Sequence, residues 1–165
     1  MEEQLNTIEQ LLSRLSESYQ QTSDLLKEQI DAVVGNELES LLDAMEDLIT
    51  HQETSYELEH QLREQVALLA QAVKADASTS LGDLLEQVPG NTGSIKNLRK
   101  ELIANINQAR TSHGQLMQLL QFAQEHTNEI LRSIHVLANH HDLRYNQLGK
   151  TASTQNKTFA VNQTA

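Results

Sequence analysis

The chain has 165 residues, with 23 Asp and Glu against 12 Lys and Arg, which gives a net charge of -11. Aromatic residues make up 3% of the sequence, there is one Pro and there is no Cys. This composition argues against β-sandwiches, disulfide scaffolds and thiolate metal sites, and it favours long helices. The acidic balance disfavours nucleic acid as a partner. Since no run is apolar enough for membrane insertion or a signal peptide, we expect a cytoplasmic protein.

The first predicted helix begins near Glu3 and ends near Gly35. Its apolar side chains recur every three or four residues with one interruption between Tyr19 and Leu26, which is the pattern of an amphipathic helix; they are Leu5, Ile8, Leu12, Leu15, Tyr19, Leu26 and Ile30. Gly35 is predicted to end this helix in the left-handed conformation. Asn36 and Glu39 have the spacing of a capping box for the next helix.

The second predicted helix has two apolar stretches separated by a polar one. The apolar residues are Leu38, Leu41, Met45 and Leu48, and then Leu62, Val66, Leu69 and Val73. Gln52, Ser55 and Glu59 interrupt the pattern. They indicate either a seam that is open to solvent or a polar layer that sets the register of a helical bundle.

A short helix and a chain break come next. Ser80 and Asp83 have the spacing of a cap for a helix over Leu81 to Val88. The segment 89–93 contains the chain's single Pro and two of its six Gly, so it predicts a turn.

Ser94 is predicted to cap the longest helix, which spans about residues 95–141. Its seam consists of Ile95, Leu98, Leu102, Ile106, Ala109, Leu116, Leu120, Ala123, Ile130, Ile134 and Leu137. The sequence therefore predicts an all-α, coiled-coil-like antiparallel bundle of three long helices and one short helix, forming a single domain over 1–149. Residues 150–165 are polar and are predicted to form a disordered tail.

The seven histidines do not predict a metal site or a catalytic centre. Glu57 and His60 have the i, i+3 spacing used in di-iron bundles, but such a site needs a second pair and two further Glu. His140 and His141 are adjacent, so they point about 100° apart on a helix, and with His135 they favour only adventitious metal binding. No cofactor is expected.

His113 is predicted to occupy a seam position between Ala109 and Leu116. It is either a partly buried histidine that is hydrogen-bonded to a neighbouring helix or a polar contact in a partner groove. The sequence also lacks a cysteine nucleophile, a nucleophile elbow and a phosphate-binding loop. These observations favour a binding protein over an enzyme.

Three stretches of the sequence resemble the FlgN family of flagellar export chaperones. The first is the corner over residues 28–41, where a Glu-rich helix end is followed by a turn and a Leu-rich restart. The second is Ser112 to Met117, in which His113 and Gly114 stand where the family typically has Asn-Gly. The third contains Tyr145 and Gly149, which are similar to a closing Tyr and Gly of the family.

This resemblance implies a chaperone of the hook–filament junction proteins FlgK and FlgL that delivers them to the export gate, of which FlhA is a component. In the family the last amphipathic helix holds the C-terminal segments of these clients. By position, the client-binding residues here are Leu116, Leu120, Ala123, Ile130, Ile134 and Leu137. The resemblance also implies that Tyr145 docks to the export gate.

Two other functions remain open from the sequence. A structural coiled-coil protein would bury its seam in a homodimer or a larger assembly. A helical signalling domain would transfer phosphate to one exposed histidine.

Overall fold

The computed structural model describes residues 2–76 and 78–141, except for the side chains of 138–141. These residues form four helices and no strand: α1 (Glu2–Gly35), α2 (Leu38–Ala72), α3 (Leu81–Gln87) and α4 (Gly93–His141). The predicted all-α bundle of three long helices and one short helix is confirmed. The predicted disordered tail over 150–165 lies outside the described residues.

The chain divides into two compact units. The first unit is Met1–Leu120 and contains α1, α2, α3 and the part of α4 up to Leu120. The second unit begins at Gln121 and is described up to residue 141, where it consists of the rest of α4. The single domain over 1–149 stays a prediction.

Within the first unit, α1 and α2 form an antiparallel hairpin. Gln29 near the end of α1 donates to the carbonyl oxygen of Ala44 near the start of α2 (3.0 Å), and Ser18 lies against Ser55 farther from the corner. The beginning of α4 runs parallel to α1, because Ser94 hydrogen-bonds to Glu9 and Asn105 to Ser16. Consecutive long helices therefore alternate in direction, as predicted.

The apolar core of the first unit joins the N-terminal half of α1, the C-terminal half of α2, α3 and the first turns of α4. Burying aliphatic side chains of this size contributes roughly 1.5–3 kcal/mol each. The buried members are Ile8, Leu11, Leu12, Leu15, Leu58, Leu69, Ala70, Leu84, Leu85, Val88, Ile95 and Leu102. Although α3 is short, it is held against the long helices because Leu84 and Leu85 are buried in this core.

A layer of hydrogen-bonded polar side chains crosses the bundle next to this core, and we call it the polar layer (Ser16, Ser18, His51, Ser55 and Asn105). The Ser18 hydroxyl lies 2.6 Å from the Ser55 hydroxyl, and His51 Nε2 donates to the Ser18 carbonyl oxygen at 2.8 Å. Asn105 Nδ2 donates to the Ser16 hydroxyl at 2.8 Å. Part of the polar stretch of α2 therefore lies inside the bundle. Of the two interpretations of this stretch, the polar layer applies to Ser55. The spacing of apolar residues does not mark His51 as a member of this layer.

Tyr19 lies beside the polar layer and donates its hydroxyl to Glu59 Oε1 at 2.6 Å. Burial of the phenol, and secondly the hydrogen bond to Glu59, raise the pKa of Tyr19 from 10.0 to about 12. A raised pKa in the folded state means that this stabilisation is complete below pH 10 and is lost as the pH rises towards 12.

Tyr19→Phe is therefore expected to weaken the fall in stability between pH 10 and 12. The measurement is urea unfolding followed by circular dichroism across this pH range. Tyr56→Phe is the matched control, because Tyr56 is exposed on α2. Equal pH profiles for the Tyr19→Phe variant and the unmodified protein would contradict the prediction.

The corner between α1 and α2 differs from the predicted one. Asn36, and not Gly35, adopts the left-handed conformation, with a φ of 56°. The backbone N–H groups of Asn36 and Glu37 donate to the carbonyl oxygens of Val33 and Ala32, which is a Schellman motif. The predicted capping box is wrong, because Asn36 serves the end of α1 and Glu37 precedes α2 without a side-chain cap.

The predicted cap of α3 is confirmed, whereas that of α4 shifts. The Ser80 hydroxyl accepts a hydrogen bond from the Asp83 backbone N–H at 3.3 Å. At α4 the Lys96 N–H donates to the Thr92 carbonyl oxygen, so the helix begins at Gly93 and Ser94 already lies inside it. The Ser94 hydroxyl donates to Glu9 instead.

The first half of α2 contacts α1 through a narrower face than predicted. Ala44 is buried, and Leu41 and Leu48 are half-buried. Leu38 and Met45, which were predicted to belong to the same seam, are exposed. Because Ala44 is small, α1 packs on the side of α2 that contains it. Leu38 and Met45 lie on other sides of α2 and therefore face solvent.

Candidate functional site

The candidate site is an apolar row along α4, which we call the α4 stripe. Its members alternate by steps of four and three residues, with Thr127 filling the one gap, so they share one face of the helix. The predicted members are Leu116, Leu120, Ala123, Ile130, Ile134 and Leu137. The Thr127 hydroxyl donates to the Ala123 carbonyl oxygen at 2.8 Å, so it is satisfied within the helix.

Burial along the seam of α4 changes near the boundary of the two units. Up to Leu116 the seam is buried or half-buried, and Leu116 itself is 5% exposed. Leu116 therefore belongs to the first unit's interior rather than to an accessible surface. Leu120, Ile130, Ile134 and Leu137 are exposed, and Ala123 is half-buried.

Further large apolar side chains are exposed around the same helix. They are Met117, Phe122, Leu131 and Val136. Of these, Leu131 lies next to the α4 stripe, whereas Val136 lies on the far side of the helix. Phe122 stacks on His126 one turn later, with ring centroids 6.1 Å apart. Single exposed apolar residues are ordinary, but a run of this size along one helix is typical of an interaction surface.

The surface carries little charge. Between Leu116 and Leu137 the charged side chains are Glu125, Glu129 and Arg132, with His126 and His135 beside them. Two of the stripe's neighbours are hydrogen-bonded inside the helix, since Gln121 donates to Glu125 and Ser133 donates to the Glu129 carbonyl oxygen. Apolar contact, rather than charge pairing, is what this surface offers to a partner.

His113 does not occupy the seam. Its side chain is exposed, and Ser112, which is 2% exposed, takes the buried position between Ala109 and Leu116. Both residues satisfy the spacing of three and four, but the small Ser112 allows closer packing. The prediction of a partly buried His113 is therefore wrong, and Gly114 next to it is also exposed, with open space around its Cα.

The remaining candidate chemistry is dispersed over the surface. On α2, Glu57 accepts a hydrogen bond from Gln61 at 2.9 Å. On the same helix, His60 Nδ1 lies 3.8 Å from Glu64 Oε1. In the described part of the chain no three His, Asp or Glu side chains are grouped as metal ligands. His135 is exposed, and the side chains of His140 and His141 lie outside the described set, as does Tyr145.

None of the described helices is both long and apolar enough to cross a membrane. A comparison with protein families matches the chain to the family described as FlgN protein, over residues 1–153. The match includes the α4 stripe and the position of Tyr145. Neither the curated proteins nor the solved structures give a match.

Proposed function

Because the chain belongs to the FlgN family of flagellar export chaperones, we propose that it binds the C-terminal segments of FlgK and FlgL in the cytoplasm. Bound in this way, the two hook–filament junction proteins are kept from assembling early. The chaperone then delivers them to the export gate through FlhA. The chemistry required is reversible protein binding without a cofactor.

One observation carries this proposal, which is the exposure of the α4 stripe from Leu120 to Leu137. An amphipathic client helix that lays its apolar side chains on such a row removes both surfaces from water. At roughly 25 cal/mol per Å² of apolar area, this burial is the main source of affinity available to a surface with so few charges.

The direct test is calorimetric titration of the full chain with synthetic C-terminal segments of FlgK and FlgL from the same organism. An unrelated amphipathic peptide of equal length and charge is the control. We expect saturable binding of the two client segments only. If neither binds to a folded, helical protein, the proposed clients are wrong.

The exposed α4 stripe also suits a second candidate, which is self-association into a homodimer through this row. Sedimentation equilibrium over a hundredfold range of protein concentration separates the two functions. A monomer that binds client segments supports the chaperone. A dimer that the segments do not dissociate supports a structural coiled-coil protein.

Tyr145→Ala is expected to leave client binding unchanged and to impair delivery to the gate. The reason is the proposed division of labour, in which the α4 stripe holds the client and Tyr145 contacts the export gate. Client affinity is measured by calorimetry, and delivery by the amounts of FlgK and FlgL secreted from cells. Asn146→Ala, at the next position in the sequence, is the control for a side chain truncated in the same segment. Equal loss of client binding and secretion in the Tyr145→Ala variant would refute this division.

A further inference from the structure

A second exposed apolar row lies on α2, inside the first unit, and we call it the α2 stripe. It consists of Leu38, Leu42, Met45, Ile49 and Tyr56, which are between 45% and 67% exposed. Their spacing alternates between four and three residues, with Gln52 completing the series, so they fall on the a and d positions of a heptad repeat. In coiled coils, residues at these positions pack against the partner helix.

The α2 stripe is not covered by α1. The α1-facing side of α2 contains Ala44, His51 and Ser55, which bond to or pack on α1. Leu42, Met45 and Ile49 lie about 100° or more around the helix from that side. The described part of the first unit therefore leaves this row in solvent.

The charge beside the α2 stripe indicates what kind of partner it fits. Glu39, Glu46 and Glu53 follow one another at intervals of seven residues, so they form a continuous edge along the row. Residues 28–62 contain ten Asp and Glu and no Lys or Arg. In coiled coils the charges at such flanking positions select the partner and its orientation.

A second copy of this chain is a poor occupant of the α2 stripe. Pairing the row with itself would bring two acidic segments together, and the like charges would repel. In an antiparallel pair the edges formed by Glu39, Glu46 and Glu53 would face each other directly. A helix with Lys or Arg on its flank would instead form favourable charge pairs with this acidic edge.

We propose that the α2 stripe binds an amphipathic helix of another protein, with apolar side chains at three- and four-residue spacing and Lys or Arg on its flank. This surface is separate from the α4 stripe and serves a different partner from the clients proposed above. The acidic edge provides selection and orientation, and the apolar row provides the contact.

The test uses the full chain and two synthetic 28-residue helices that share one apolar a/d seam. One probe carries Lys at the flanking e and g positions, and the other carries Glu there. Fluorescence anisotropy at low salt is expected to show saturable binding of the Lys probe and at least about tenfold weaker binding of the Glu probe, because pairing with the acidic edge is lost. Equal affinity for both probes would overturn the proposal.

Single substitutions locate the binding. Ile49→Asp is expected to weaken binding of the Lys probe at least about tenfold, since it puts a charge into the apolar contact. Thr54→Asp adds the same charge on another side of α2 and should have little effect. Leu120→Asp should also leave this probe bound, whereas loss of binding in that variant would assign the probe to the α4 stripe and overturn the proposal.

A charge swap tests the acidic edge itself. The triple variant Glu39→Lys, Glu46→Lys, Glu53→Lys is expected to lose affinity for the Lys probe and to gain it for the Glu probe. Glu17→Lys, Glu86→Lys, Glu101→Lys changes the net charge equally at three other exposed sites, and it should keep the preference for Lys. If both triple variants shift the preference alike, the net charge of the protein and not the α2 stripe selects the probe.

Discussion

Replacing Leu120 or Ile130 with Asp is expected to weaken binding of the FlgK and FlgL segments about thirtyfold or more, the effect of removing an interface hot spot. Each substitution removes an apolar side chain from the α4 stripe and puts a carboxylate into the proposed client contact, which would exclude water. An unpaired charge in such a place must either stay hydrated, which opens the contact, or pay a large desolvation cost. The measurement is calorimetric titration of each variant with the two segments.

The structure makes this experiment interpretable, because both side chains reach solvent. Leu120 is 37% exposed and Ile130 is 47% exposed, so each variant should keep its helical circular dichroism spectrum, with only a modest lowering of the unfolding midpoint. Gln118→Asp and Asn128→Asp are matched controls, since each adds one negative charge on the opposite side of α4. Normal client binding by the Leu120→Asp and Ile130→Asp variants would show that clients do not use the α4 stripe.

Leu69→Ala is expected to lower the free energy of unfolding by about 2–5 kcal/mol, the range for a leucine truncated in a packed core. Leu69 is fully buried in the core of the first unit. The neighbouring Leu68 is 44% exposed, so Leu68→Ala removes the same atoms from the same helix at a loss of about 1 kcal/mol or less. Urea unfolding of the two variants, followed by circular dichroism at 222 nm, gives both values.

Comparing the unfolding free energies of these two variants separates the effect of burial from that of helix propensity, because both substitutions are Leu→Ala within one turn of α2. If the two variants lose equal stability, α2 does not present Leu69 to the interior, and the contacts between α2, α3 and α1 would need to be reassigned. If Leu69→Ala alone is unstable, the core cluster is placed correctly.

Most of the helices could be predicted from the sequence, because long amphipathic patterns and strong breakers mark them. The Pro and Gly residues of 89–93 separate α3 from α4, and Ser80 with Asp83 begins α3 as expected. The corner at Gly35 was harder, since both Gly and Asn tolerate positive φ. Which of two neighbouring residues takes that conformation depends on how the helices meet, and the sequence pattern does not contain this information.

The sequence predicts which residues form the apolar row of the candidate site, but it does not predict which of them are exposed to solvent. Spacing placed Leu116 and Leu120 in one seam, but only packing decides that the first is buried and the second exposed. The same ambiguity misassigned His113, since the steps Ala109–Ser112–Leu116 and Ala109–His113–Leu116 both fit a helix. His51 went unnoticed because a polar residue inside a bundle breaks the apolar pattern instead of continuing it.

The hydrogen bonds of the polar layer also bear on the order in which the protein folds. Ser18 reaches α2 across 33 and 37 residues of chain, whereas Ser16 reaches Asn105 across 89. Closing the longer loop costs more entropy, so we expect α1 and α2 to pair before α4 joins them. Until residues 95–109 leave the ribosome, side chains such as Ile8 and Leu12 have only part of their final cover. The nascent protein therefore passes through a stage at which its own apolar side chains are exposed, before the synthesis of the helix that we propose binds apolar segments of other proteins.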